Sequence, residues 1–176
     1  MHPLFHPLFI DYCTYFNGNQ DYFECHEVLE EYWKEIAPGE KEHPLVGYIQ
    51  VATGLYHWRR GNMRGAHRML SNGVRILHAA TATVFAEKID FTEFLHCVEN
   101  AVIAVNDNQA FAAFAIVITD KELAQAVAVL IAALPEGDPH FIQHKHMLRD
   151  RSELIEERAQ RLRKRGAGGD LFSHRA

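Results

Sequence analysis

Tyr22-Phe23-Glu24-Cys25-His26-Glu27-Val28-Leu29-Glu30-Glu31-Tyr32-Trp33-Lys34-Glu35-Ile36 is the stretch whose pattern decides the fold. Tyr22, Cys25, Leu29, Tyr32, Trp33 and Ile36 recur at intervals of three and four, the spacing of one buried helical face. Asp21 precedes the run and Glu24 follows three residues later, which has the shape of a capping box. Asn19 is a second residue suited to capping. Pro38-Gly39 stops the helix. The pattern predicts a helix over 22–36.

Working outward, a short helix is expected from Leu8 to Phe16, ended by Asn17-Gly18. Pro44 suits a first helical turn, because its missing N–H is not needed there. A helix from Pro44 to Arg60 follows, with Leu45, Tyr48, Ile49, Ala52, Leu55 and Tyr56 toward the core. Its other side carries Gly47, Gln50, Gly54 and His57. Two glycines one heptad apart let a second backbone come close, so this helix is read as central. Asn62 caps a helix from Met63 to His78, striped by Met63, Ala66, Leu70, Gly73 and Leu77. Asp90 caps another from Phe91 to Val105.

Beyond residue 105 the pattern is less decisive. Ala110 to Ile118 fits a buried strand or a buried helix, and the helical surroundings favour a helix. Asp120 caps a helix from Lys121 to Leu134. Asp138-Pro139 starts a long one, running to Arg165, with Phe141, Leu148, Ile155 and Leu162 spaced by seven. Residues 166–176 are expected to fray. The expected architecture is all-α. It is a single helical domain over 1–176, a bundle of about four core helices with a helical extension over 106–165.

Bulk properties narrow the function. At 176 residues one domain is favoured. The net charge of −5 argues against a nucleic-acid-coating role. The basic run Arg158 to Arg165 is accounted for by the dipole at a helix C-terminus. Cys13, Cys25 and Cys97 are odd in number and lack C-x-x-C spacing, so they read as reduced thiols in the cytoplasm. Met1 to Phe9 repeats His-Pro-Leu-Phe without the features of a signal peptide. The longest apolar run is too short to span a bilayer. A heptad-striped C-terminal helix suits a homo-oligomer, with a dimer as the simplest case.

Polar chemistry is densest on the 22–36 helix. His26 and Glu30 are four apart and share a face, with Glu27 beside them. His26 lies at the edge of the apolar stripe next to Trp33. Half-buried ionisable groups need partners, since burying an ion alone costs on the order of several kcal/mol. Gln50 and His57, on the glycine-lined face of the central helix, are the candidate partners.

Three readings stay open. The four side chains form a buried hydrogen-bond network that fixes helix packing. Alternatively His26, Glu30 and His57 ligate a divalent metal ion, with Glu27 or Glu24 as general base in a metal-dependent hydrolase. The zincin motif H-E-x-x-H is not matched, because Glu30 stands where the second histidine would be. The third reading is a small-ligand site where Arg59, Arg60, Arg64 and Arg68 flank the Gly61-Asn62 turn, whose free N–H groups favour an anion. No G-x-S-x-G or phosphate loop is present. Cys25 and His26 are sequence neighbours that diverge on a helix, so they do not form a catalytic pair.

Tyr22-Phe-Glu-Cys-His26-Glu-Val-Leu-Glu30-Glu-Tyr-Trp33 resembles the FFExHExxExxW signature of the DUF309 family. Gly47-Tyr-Ile-Gln50-Val-Ala-Thr-Gly-Leu-Tyr-His57, followed by Gly61-Asn62-Met-Arg-Gly65-Ala66, resembles the family's second signature. The wording is especially similar to the Bacillus-type members. The resemblance covers Leu8 to Val105. It implies a small all-α bundle and cytoplasmic bacterial or archaeal proteins of unknown function. It also implies that His26, Glu27, Glu30, Gln50, His57 and Asn62 stand at signature positions. It supplies no reaction. The family's first motif often has a small residue at the Cys25 position, so nothing special is expected of that thiol.

Overall fold

A computed structural model describes residues 1–148 and 159–160. Among these residues the chain is all-α. The helices are α1 Pro7–Thr14, α2 Tyr22–Ile36, α3 Pro44–Arg59, α4 Met63–Ala79, α5 Phe91–Asn106, α6 Lys121–Ala132, α7 Pro139–Gln143 and α8 Lys145–Leu148. No described helix is long and apolar enough to cross a membrane.

The predicted central helix is α3. It buries residues on every side, including Leu45, Val46, Tyr48, Ile49, Val51, Ala52, Leu55 and Trp58, as expected of a helix covered all round. α2 and α4 both pack against it. The glycine face meets α4 at close range. The Gly47 carbonyl oxygen would lie 3.2 Å from a Cβ placed on Gly73. An aromatic layer closes the far side, with Tyr48 stacked on Phe94 and edge-on to Phe9. Its hydroxyl donates to the Phe85 carbonyl at 2.6 Å.

The predicted caps are made. Asp21, Asn62, Asp90 and Asp120 each accept from the backbone N–H three residues on, at 3.0–3.1 Å. Three further caps have one device in common. His2, His6 and His43 each precede a proline that opens a 3-10 turn (Pro3–Phe5) or a helix (α1, α3), and each accepts through Nδ1 from the N–H of the second residue on, at 3.2 Å. The N-terminal His-Pro-Leu-Phe repeat is therefore two successive helix starts.

An imidazole caps only while Nδ1 keeps its lone pair. Burial holds the His43 imidazole below its ordinary value of 6.5, against the opposing pull of Glu40. The unfolded chain thus takes the proton first. The contribution of His43 to stability is complete above about pH 6.5 and is lost as pH falls through the lower folded value. His43→Asn keeps an acceptor that does not titrate. Melting curves from pH 7.5 to 5.5, set as order-of-magnitude bounds around the imidazole range, should show a smaller acid loss in this variant than in the parent. Equal losses would remove the assignment.

The structure corrects three boundaries. The first helix does not run regularly to Phe16. It ends at Thr14 and widens into a π-turn, Tyr15–Asn19, that closes on Gln20 in the left-handed region at φ 55°. Ala110 to Ile118 is neither helix nor strand, apart from a single antiparallel bridge between Ile89 and Ile118. Its backbone groups are engaged elsewhere. The Asn17 amide exchanges two 2.8 Å bonds with Ile116. The Val117 carbonyl accepts from Asp90 N at 2.8 Å. Phe111 and Phe114 pack on Tyr22 and Phe16. Tertiary partners thus outcompete the local helix, and the part of the expected 106–165 extension over 107–120 is irregular. Finally, the helix begun at Pro139 breaks at His144, whose φ of −118° leaves the helical range. Ile155, Leu162 and the 166–176 tail lie outside the described residues.

Candidate functional site

The site is built along one face of α2. Asp21 Oδ1 accepts from Glu24 N at 3.1 Å and fixes the helix start. The helical phase then turns His26, Glu27 and Glu30 inward, where they are 6%, 7% and 6% exposed. His26 Nδ1 is hydrogen-bonded to Glu27 Oε1 at 3.1 Å. Its Nε2 lies 3.3 Å from Glu30 Oε2. The other Glu30 oxygen takes the Lys34 ammonium at 2.5 Å. The result is an alternating row of carboxylate, imidazole, carboxylate and ammonium, folded into a nearly dry helix face.

Trp33 is part of the support. Its indole Nε1 donates to the Glu40 carbonyl at 2.9 Å and ties the end of α2 to the following turn. Glu24 faces another way, with Oε1 2.7 Å from Lys145 Nζ. Lys145 also reaches Asp21 Oδ2 at 2.9 Å. Burial works to lower the Lys145 ammonium, but the bonds to Glu24 and Asp21 outweigh it and hold the group above its ordinary range.

The second motif joins α3 to α4. Gln50 Oε1 accepts from Asn72 of α4. Asn62 Nδ2 meets His57 Nδ1 at 3.3 Å, while Asn62 Oδ1 caps α4 through Gly65 N at 3.0 Å. Among the described residues, the ligand atoms that gather within 4.8 Å of one another belong to His26, Glu27 and Glu30. Glu24 and His57 stand outside that cluster. One imidazole and two carboxylates are a donor set that suits divalent zinc, manganese or iron. Lys34 on Glu30 opposes a second cation there.

Cys25 is fully buried, and its thiol is pushed well above its ordinary range, by burial first and by the Asp21 charge next. That rules out ready thiolate chemistry. Sequence reasoning missed Lys34, Asn72 and Lys145. Lys34 was readable, four residues after Glu30 on one helix face. Asn72 and Lys145 come from distant segments and left no local signal.

A family model described as "Domain of unknown function (DUF309)" matches residues 9–69. The Bacillus subtilis (strain 168) protein named "Uncharacterized protein YpuF" is 36% identical over 169 residues, which is 92% of this chain and 97% of its own. No solved structure matches. Identity at that level extends over nearly all of both chains, and the family model covers the segment carrying His26, Glu27, Glu30, Gln50, His57 and Asn62, so this chain belongs to the DUF309 family.

Proposed function

We propose that the protein is a non-enzymatic helical module that binds a partner or small ligand. In this reading the His26–Glu27–Glu30–Lys34 row is an internal brace. One observation carries it: the imidazole meets a carboxylate at each of its two nitrogens, at 3.1 and 3.3 Å. A metal ligand uses one imidazole nitrogen, and the carboxylates would have to converge on that same point. Here they flank opposite edges of the ring, and Glu30 already serves an ammonium. The reading takes the protein as a cytoplasmic homodimer, which light scattering on the purified chain would check.

A second reading is a divalent-metal site of a metal-dependent hydrolase. It is favoured by the clustering of three ligand atoms within 4.8 Å. His26, Glu27 and Glu30 would hold the ion, which would supply a Lewis acid and an activated water. Elemental analysis of protein purified without a histidine tag separates the two readings. The brace predicts substoichiometric metal and a melting temperature unmoved by added zinc, manganese or iron. One equivalent of metal per chain, with stabilisation on loading, would replace the first reading by the second.

A further inference from the structure

Arg59 closes α3 with its guanidinium over the Tyr22 ring at 4.9 Å and over the Phe111 ring at 5.7 Å. Its Nη1 donates to the Gln20 carbonyl at 2.8 Å. Its Nε and Nη2 are shut off from solvent and have no hydrogen-bond partner among the described residues. The Tyr22 hydroxyl is in the same condition, on a side chain that is 0% exposed.

These two nitrogens are not an arbitrary pair. Nε–H and the adjacent Nη2–H point the same way and form the side-on edge of the guanidinium. That edge donates two parallel bonds to the two oxygens of a carboxylate or phosphate. Native structures rarely leave such donors buried and unmatched, and an ion or water is the usual explanation.

Among the described residues, the carboxylate whose charge acts on Arg59 is already committed. The charge of Asp21 reaches Arg59, but Oδ1 caps α2 at 3.1 Å and Oδ2 takes Lys145 at 2.9 Å. Arg60 Nε and His144 Nδ1 are likewise buried and unmatched. Arg59 and Arg60 both act on His144, which is held below its ordinary range by burial first and by these and the His140 charge next. The surroundings therefore favour an anion. The outer wall is α7, whose Gln143 donates to the Arg59 carbonyl at 3.2 Å.

We propose that the Nε/Nη2 edge of Arg59, with the Tyr22 hydroxyl beside it, binds a small oxyanion, either a carboxylate or a phosphate group. This site is separate from the His26 row and does not rest on the function proposed for it.

Calorimetric titration of the full chain with sodium phosphate, and separately with sodium acetate, tests it at matched ionic strength with chloride as the background. Saturable binding of phosphate alone identifies a phosphate site, and binding of acetate extends it to carboxylates. Arg59→Lys keeps the charge and removes the fork, so it should weaken binding by about tenfold or more. Tyr22→Phe should weaken it by roughly severalfold, through loss of one hydrogen bond. Arg68→Lys, on an exposed face, should leave it unchanged. Failure of both anions to saturate the wild-type protein overturns the proposal, as does equal binding by Arg59→Lys. Should both site variants fail to fold, the Arg59 Nε–Hε resonance of the wild type decides. It must move on adding the anion that binds, and a fixed resonance is equally decisive against the proposal.

Discussion

Replacing Gly54 by alanine is expected to lower stability by about 2 kcal/mol, even though alanine is the better helix former. A Cβ at this position would lie 2.6 Å from Leu70 Cγ, 2.7 Å from Leu70 Cδ2 and 3.1 Å from the Leu70 main-chain nitrogen. The first two contacts fall below any distance a real Cβ keeps. Cγ is the branch point of a fully buried side chain, so rotation about χ2 does not relieve the clash. The third contact is backbone, and α4 itself has to retreat. Intrinsic propensity favours alanine by about 1 kcal/mol and offsets only part of this cost. Gly47 gives the internal comparison. A Cβ there meets Leu77 at 2.7 Å and Ile76 at 3.2 Å, all side-chain atoms. Gly47→Ala should therefore cost less than Gly54→Ala. Urea unfolding midpoints of the three proteins check the order. A Gly54→Ala protein as stable as the parent would show that the α3–α4 seam is looser than drawn.

The same two glycines explain why so much of the fold was legible. The helices α2, α4 and α5 each join an apolar period to an Asp or Asn cap, and these signals agree with one another. The glycines at positions 47 and 54 added which helix is central and where its neighbour comes close. Legibility failed where a segment is held by distant groups instead of its own pattern. Ala110 to Ile118 has the composition of a buried element, yet Asn17 and Asp90 bind its backbone. Nothing within the run announces this. The His-Pro starts were missed for another reason. Histidine is outside the usual set of capping residues, although its Nδ1 can accept like an Asx oxygen. At the site, the i,i+4 relation of His26 and Glu30 was readable and they lie together. The bonds of Gln50 to Asn72 and of Asn62 to His57 depend on the α3–α4 packing. Helical phase alone could not choose between those partners and His26.

His26→Ala should be the most damaging single change at the site, with a loss of about 3 kcal/mol near neutral pH. The imidazole stands between two carboxylates, at 3.1 Å and 3.3 Å, and all three groups are nearly dry. Removing it takes away the group that both carboxylates face and leaves two like charges close together in a medium of low dielectric. Lys34 still serves Glu30 at 2.5 Å, while Glu27 brings the second negative charge to the pair. That makes the effect separable from simple cavity formation. Adding Glu27→Gln to His26→Ala removes one of the opposed charges while keeping the side-chain volume, and should recover roughly 1 kcal/mol. Glu27→Gln in the wild-type background should instead destabilise, because there the imidazole loses the carboxylate bonded to its Nδ1. A change of sign between the two backgrounds is what an electrostatic brace requires and what a lost packing contact does not produce. Denaturant titrations of the four proteins complete the double-mutant cycle. If Glu27→Gln destabilises both backgrounds equally, the row of charges does not act as a unit, and the function proposed for it loses its physical basis.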